Sequence, residues 1–190
     1  MVLAGANHIL VEEITSLLRV ASQEADLTRA IKQLNQILPF RFWSLVITPL
    51  TDEFPSLDTK FINNYPPDYV AKYLEHQFYN FDLVSLNNFN PENFGPLTHW
   101  GSLYQEVEQG PSPFTPEQLE GNRALLDFIK DLGILRDGYS IGWRSTHRER
   151  SFGSIFSIAD QIEVGPMSEL VLKNLIQPLH MAMIQVYYQD

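Results

Sequence analysis

The sequence predicts an α+β fold, an α/β/α sandwich in which a central antiparallel sheet is covered by helices on both faces. Three observations carry that prediction. Amphipathic helical repeats stand at both ends of the chain, ring-rich or β-branched segments lie between them, and two of those segments, residues 139–144 and 152–159, flank a short charged turn as hairpin strands do. At 190 residues and 44% hydrophobic, the chain supports one sizeable core rather than two, so residues 1–190 read as a single domain.

The elements follow in order. Leu10, Ile14, Leu17, Leu18 and Ala21 recur on one helical face, and residues 27–38 repeat the pattern, giving two opening helices. Residues 40–48 read Phe-Arg-Phe-Trp-Ser-Leu-Val-Ile-Thr between Pro39 and Pro49, a strand signature, and a second strand is expected over 59–64. The pair Pro66-Pro67 forces Tyr65 into an extended conformation and starts a helix to about residue 77, because the first helical positions need no amide donor. Residues 86–114 are poor in periodicity and rich in Asn, Pro and Gly, a loop-rich middle with one short apolar stretch at 97–100. Thr115-Pro116-Glu117-Gln118 has the spacing of a capping box, so a helix is expected from 116 to about 132, stopping at Gly133. After the hairpin comes a long closing helix over 166–188, interrupted at Pro178.

Composition narrows the function. A net charge of −10 argues against a polyanion partner, and the one dense basic stretch, residues 144–150, reads as the solvated hairpin turn. With no cysteine and five scattered His that form no His-x-x-x-His pair, neither a metal nor another cofactor is expected. No run approaches the ~18 apolar residues of a membrane helix, and no basic-then-apolar leader opens the chain. A cytoplasmic protein is expected, which the absence of cysteine suits.

The segment 64–84 holds the chemistry. It reads Asn64-Tyr65-Pro66-Pro67-Asp68-Tyr69-Val70-Ala71-Lys72-Tyr73, then eight residues, then Asp82-Leu83-Val84. Tyr69 and Tyr73 stand four apart and share a helical face, and if that face looks inward two phenols enter an apolar interior, where each hydroxyl needs a partner. Asp82 lies among Phe78, Tyr79 and Phe81, and two readings stand side by side: the N-cap of a short following helix, or a carboxylate that meets a ligand donor.

Asn-Tyr-Pro, an aromatic three positions after the proline, a tyrosine four further on and an aspartate nine after that resemble the signature of LuxR-type quorum-sensing receptors. Trp100 in Pro-Leu-Thr-His-Trp matches the family's second characteristic tryptophan, and Asp131-Leu132-Gly133-Ile134 with Gly138-Tyr139-Ser140-Ile141 resembles its helix end and following strand. The likeness runs from the Phe42-Trp43-Ser44-Leu45 strand to Ser157. It implies an autoinducer-binding domain whose ligand is an N-acyl homoserine lactone or a related acylated signal. By that resemblance Asp82 accepts the ligand amide N–H, Tyr65 donates to the acyl carbonyl and Trp100 lies against the lactone. Tyr73 walls the head-group pocket and Ser157 offers a hydroxyl near the chain. Phe42, Ser44, Leu125, Leu126 and Ile129 fall where the family lines its acyl-chain cavity. The sequence departs from the pattern at Tyr69, where the family has a tryptophan that donates to the lactone carbonyl, at Leu83 and at Gly142, where it has prolines. The family's helix-turn-helix would follow the last helix, beyond Asp190, so direct DNA binding by that route is not expected of this stretch.

Two other readings belong beside this one. Gly138-Tyr139-Ser140-Ile141-Gly142 matches the Gly-x-Ser-x-Gly elbow of hydrolases, with Asp160 and His180 following in the right order. That elbow needs a strand before the serine and a helix after it, whereas a strand-like run continues through Ser140, so no enzyme is expected. The second alternative is a ligand-independent module that dimerises with full-length LuxR-type regulators and inhibits them. A homodimer is expected of the sensor as well, with Ile176, Met181, Met183, Ile184 and Val186 of the closing helix as a pairing face or as core.

Overall fold

The computed structural model describes residues 5–51, 56–90, 95–133, 137–159 and 166–189. Two helices open the chain, α1 (Gly5–Arg19) and α2 (Glu24–Ile37), followed by strands β1 (Phe42–Pro49) and β2 (Lys60–Asn63). Next come α3 (Pro67–Glu75), a 3-10 turn at Phe78–Asn80, α4 (Leu83–Phe89), β3 (Leu97–His99), α5 (Trp100–Gln109) and α6 (Pro116–Asp131). The hairpin β4 (Gly138–His147) and β5 (Arg150–Ala159) precedes α7 (Pro166–Tyr187). The five strands form one antiparallel sheet in the order β2-β1-β5-β4-β3. Helices cover both faces, as the sequence predicts.

The period of two along a strand makes the two faces different. Trp43, Leu45 and Ile47 of β1, with Ile141, Phe152, Phe156 and Ile158 of the hairpin, point to the face covered by α1, α2 and α7, and there they join Ile14, Leu18, Leu27, Leu34, Leu175 and Leu179 in the main core. The alternate residues Phe42, Ser44 and Val46 point to the other face, under α3, α4, α5 and α6. That side holds only smaller apolar clusters.

The middle of the chain departs from the loop-rich expectation. Residues 86–114 include most of α4, all of β3 and all of α5. Helix α4 has seven residues, too few to show a period, but α5 carries Trp100, Leu103, Tyr104 and Val107 at helical spacing, capped by His99, whose Nδ1 accepts from the Ser102 amide at 3.3 Å. The apolar stretch at 97–99 is an edge strand that pairs with β4. Helix α7 also corrects an expectation, since it runs through Pro178 without interruption. An interior proline costs about 3 kcal/mol or more, and here Leu172, Leu175, Ile176, Leu179 and Met183, all buried, hold both sides of it against the sheet.

Elsewhere expectation and structure agree closely. The Thr115 hydroxyl accepts from the Gln118 amide at 3.2 Å while Gln118 Oε1 accepts from the Thr115 amide at 2.9 Å, the reciprocal box, and Gly133, at φ +66°, follows the end of α6. The charged turn is shorter than residues 144–150. Only Arg148 and Glu149 lie outside the strands, both at positive φ (47° and 67°), the two-residue geometry whose twist matches the flanking strands. Of the closing-helix residues named as a pairing face, Ile176, Met183 and Ile184 are buried in the core, Val186 is half-buried and Met181 is exposed. Among the described residues no helix is long and apolar enough to cross a membrane.

Candidate functional site

A cavity of about 720 Å³ lies on the hollow side of the sheet. Its floor is Ser44 and Val46 of β1 with Ile155 and Ser157 of β5. Its walls are Tyr69 and Tyr73 of α3, Asp82 and Val84, Trp100 and Tyr104, and Leu125, Leu126 and Ile129 of α6. It extends to the β2 edge, where fully exposed Leu57 marks an opening.

The segment 64–73 is placed by backbone clamps. Asn64 Oδ1 accepts from the Trp43 amide at 2.7 Å and its Nδ2 donates to the Arg41 carbonyl at 2.9 Å, so the first residue of the Asn-Tyr-Pro motif anchors β1. With Pro66 as N-cap and Pro67 in the first turn, α3 turns Tyr69 and Tyr73 to the cavity. The rings make a continuous wall. Phe42 stacks on Tyr65 at 5.1 Å, Tyr65 on Tyr69 at 4.6 Å, Tyr69 on Phe128 at 5.8 Å, and Phe128 on Phe78 at 5.8 Å.

Asp82 fulfils the N-cap reading and lines the cavity as well. Its Oδ1 accepts from the Val84 and Ser85 amides at 3.0 and 3.3 Å, capping α4. Its Oδ2 accepts from the Tyr73 and Ser85 hydroxyls, both at 2.9 Å. Burial, followed by the charge of Asp82, holds the Tyr73 phenol well above its ordinary pKa, so it stays a neutral donor. Burial and then Tyr65 do the same for Tyr69, whose hydroxyl has no hydrogen-bond partner among the described residues although the side chain is 91% buried.

Trp100 begins α5 and seats its ring on Gly138. A Cβ at that glycine would lie 2.5 Å from the Ile158 carbonyl oxygen and 2.9 Å from two ring carbons of Trp100. The indole Nε1 donates to Ser140 Oγ at 2.7 Å, and Ser140 Oγ lies 2.8 Å from Ser157 Oγ. Gly138→Ala is expected to cost about 1–3 kcal/mol, the range for overpacking, read as a lower urea midpoint. An unchanged midpoint would show that the strand has room to shift.

The family model of the autoinducer binding domain matches residues 23–185. The chain belongs to the autoinducer-binding domain family. Solved structures of similar fold agree with that membership. The N-acylhomoserine lactone dependent LuxR-family factor CepR2 of Burkholderia cenocepacia aligns over 96% of both chains at 14% identity and a TM-score of 0.61. SdiA in complex with octanoyl-rac-glycerol aligns over 97% of this chain and 68% of that one, at 18% identity and a TM-score of 0.61. The ligand-binding domain of VqsR from Pseudomonas aeruginosa aligns over 96% of this chain and 99% of that one, at 13% identity and a TM-score of 0.55. At these identities the likeness is one of fold. No curated protein matches the chain by sequence.

The structure of this autoinducer-binding domain gathers Tyr65, Tyr69, Tyr73, Asp82, Trp100, Ser157, Ser44, Leu125, Leu126 and Ile129 around one cavity. Phe42 stands behind Tyr65 rather than on the lining. Sequence reasoning missed Val46, whose period-two spacing from Ser44 carries the signal, Ser85, three residues after the cap, and Tyr104, hidden with α5. The elbow-like Ser140 is fully buried on a strand that continues to His147. His180 lies on the opposite face of the sheet, between Ser145 and Ser154, and Asp160 falls outside the described residues. The family, by its description, is one of domains that bind an autoinducer. Among the described residues no group of three His, Asp or Glu is placed to hold a metal.

Proposed function

We propose that this domain closes its cavity around an N-acyl homoserine lactone or a closely related acylated signal, as the sensor of a LuxR-type regulator in the cytoplasm. The observation that carries the reading is that one cavity holds a carboxylate-phenol cluster, Asp82 with Tyr73 and Tyr69, together with the aliphatic wall of Leu125, Leu126 and Ile129. Such a lining suits a ligand with a compact polar head and an apolar tail. Asp82 Oδ2 is engaged only by side-chain hydroxyls, which rotate, so a ligand amide N–H can take a place there while Oδ1 keeps its cap. Tyr65 donates to the acyl carbonyl, and the Tyr69 hydroxyl, which has no partner among the described residues, meets the head group. Each buried methylene adds about 0.8 kcal/mol and a charge-assisted bond about 1.5–3, so the tail sets affinity and the head sets orientation.

Tyr69 also favours a second occupant. A phenol both donates and accepts, so a hydroxyl-bearing head such as an acyl glycerol satisfies it, and SdiA provides a fold relative with octanoyl-rac-glycerol bound. Native mass spectrometry of the chain expressed with a panel of acyl homoserine lactones and acyl glycerols tests both and reads the copy number, for which two is expected. A retained lactone mass is the expected result. A retained glycerol ester would change the head group, and a folded protein that retains no panel member would remove the acylated-signal reading.

A further inference from the structure

The cavity face of the sheet carries one wholly polar row. Asn63 of β2 pairs with Ser44 of β1, Ser44 with Ser157 of β5, Ser157 with Ser140 of β4, and Ser140 with Thr98 of β3, so hydrogen-bonding side chains cross all five strands. The rows on either side are apolar or glycine: Phe61, Val46, Ile155 and Gly142 on one, Phe42, Ala159 and Gly138 on the other. Thr98 is engaged by Asn87 and Asn88 of α4. Asn63, Ser44 and Ser157 line the cavity.

The proton order along this row follows from what each group can do. The Trp100 indole N–H can only donate, so Ser140 Oγ accepts it. Ser140 is fully buried, and Ser157 is the one remaining acceptor for its proton among the described residues. If Ser157 donated to Ser140 instead, the Ser140 proton would be buried without an acceptor, a costly arrangement. Ser140 therefore donates to Ser157. The proton of Ser157 is left with no acceptor among the described residues, and this side chain, more than nine-tenths buried, faces the cavity. Ser44, directly across on β1, lines the same stretch with a hydroxyl that also has no partner among the described residues.

We propose that Trp100 and Ser140 are positioning residues that aim the Ser157 hydroxyl into the cavity as a donor, so that the site selects a ligand chain bearing an acceptor oxygen over one with a plain methylene there. The proposal rests on the acylated-signal reading for its ligand class. A chain of hydrogen bonds running one way polarises its members, so the indole N–H strengthens the Ser157 donor through Ser140, separately from any contact its ring makes in the cavity. A methylene over Ser157 leaves the donor unpaired. The discrimination expected from one neutral hydrogen bond is about five- to tenfold in Kd.

The test uses two matched pairs of ligands: N-octanoyl against N-(3-oxooctanoyl) homoserine lactone, and methyl octanoate against methyl 3-oxooctanoate, which lack the lactone. Affinity is measured by calorimetry, and the Trp100 indole N–H is followed by NMR, where the chain's three tryptophans give few signals to assign. The wild type is expected to prefer each oxo member and to show a larger downfield shift of the Trp100 N–H with it than with its matched partner. Ser157→Ala is expected to abolish both the preference and the difference in shift. Ser140→Ala is expected to weaken the oxo member selectively, whereas a merely structural Ser140 would weaken both members equally. Lactones that bind without preference or difference in indole shift would overturn the relay and leave the acylated-signal reading standing. Lactones that fail while the ester pair still discriminates would overturn the lactone head group and leave the relay standing. If a folded protein binds neither pair, both fall.

Discussion

Asp82→Ala is expected to lower stability and signal affinity together, by two separable routes. Losing the cap of α4 costs about 1 kcal/mol, and leaving the Tyr73 phenol without its acceptor adds about 1–3 kcal/mol, because both depend on the same carboxylate. Asp82→Asn retains an oxygen for the α4 amides and so should recover the capping share alone, because its Nδ2 takes the place of the oxygen that accepts the Tyr73 proton. Both variants are expected to lose the charge-assisted bond proposed between Asp82 and a ligand amide, worth about 10- to 150-fold in Kd. Urea unfolding alongside calorimetric titration separates the routes. Full binding in both variants would remove Asp82 from head-group recognition, and an unchanged midpoint in the alanine variant would remove the capping argument.

The second large effect lies on the other face of the sheet and concerns acid. His180 is fully buried, with Ser154 Oγ 2.7 Å from Nδ1 and Ser145 Oγ 2.7 Å from Nε2, and burial lowers its pKa to about 4. The unfolded chain takes up this proton near pH 6.5 and the folded chain does not. The histidine's contribution to stability is therefore present above pH 6.5 and is lost as pH falls toward 4, by about 2 kcal/mol at pH 5 and about 3 at pH 4. The comparison with His180→Gln isolates it from the carboxylates. The wild type is expected to lose more stability than the variant between pH 7 and 4.5, and parallel losses would mean that His180 is protonated within the fold.

The sheet and most helices were legible because their signals are local. The Thr115 to Gln118 box, Gly133 and the two prolines before α3 each act within a few residues, and each appears where its chemistry predicts. Helix α5 was missed although Trp100, Leu103, Tyr104 and Val107 carry its period, because the Asn, Pro and Gly of its surroundings dominated the reading. Pro178 was misjudged for the opposite reason: its local penalty is real, but packing from both sides of the helix outweighs it. For the candidate site, spacing and resemblance named residues that line one cavity, yet could not show that Asp82 already accepts four hydrogen bonds from its own chain, or that Trp100 reaches Ser157 through Ser140. Those facts depend on strand register and side-chain direction. No string of residues carries them.

The two faces of the sheet are built to different standards. One is filled by α1, α2 and α7, while the other surrounds a void of about 720 Å³. If the signal fills that void, it completes a second core that the polypeptide lacks, and at a hundredfold excess over Kd it would add about 2.7 kcal/mol to folding. A difference of that size changes how often a protease meets an open chain. The receptor's survival would then record the history of the signal: molecules that met it persist, and molecules made in its absence are cleared before they can act.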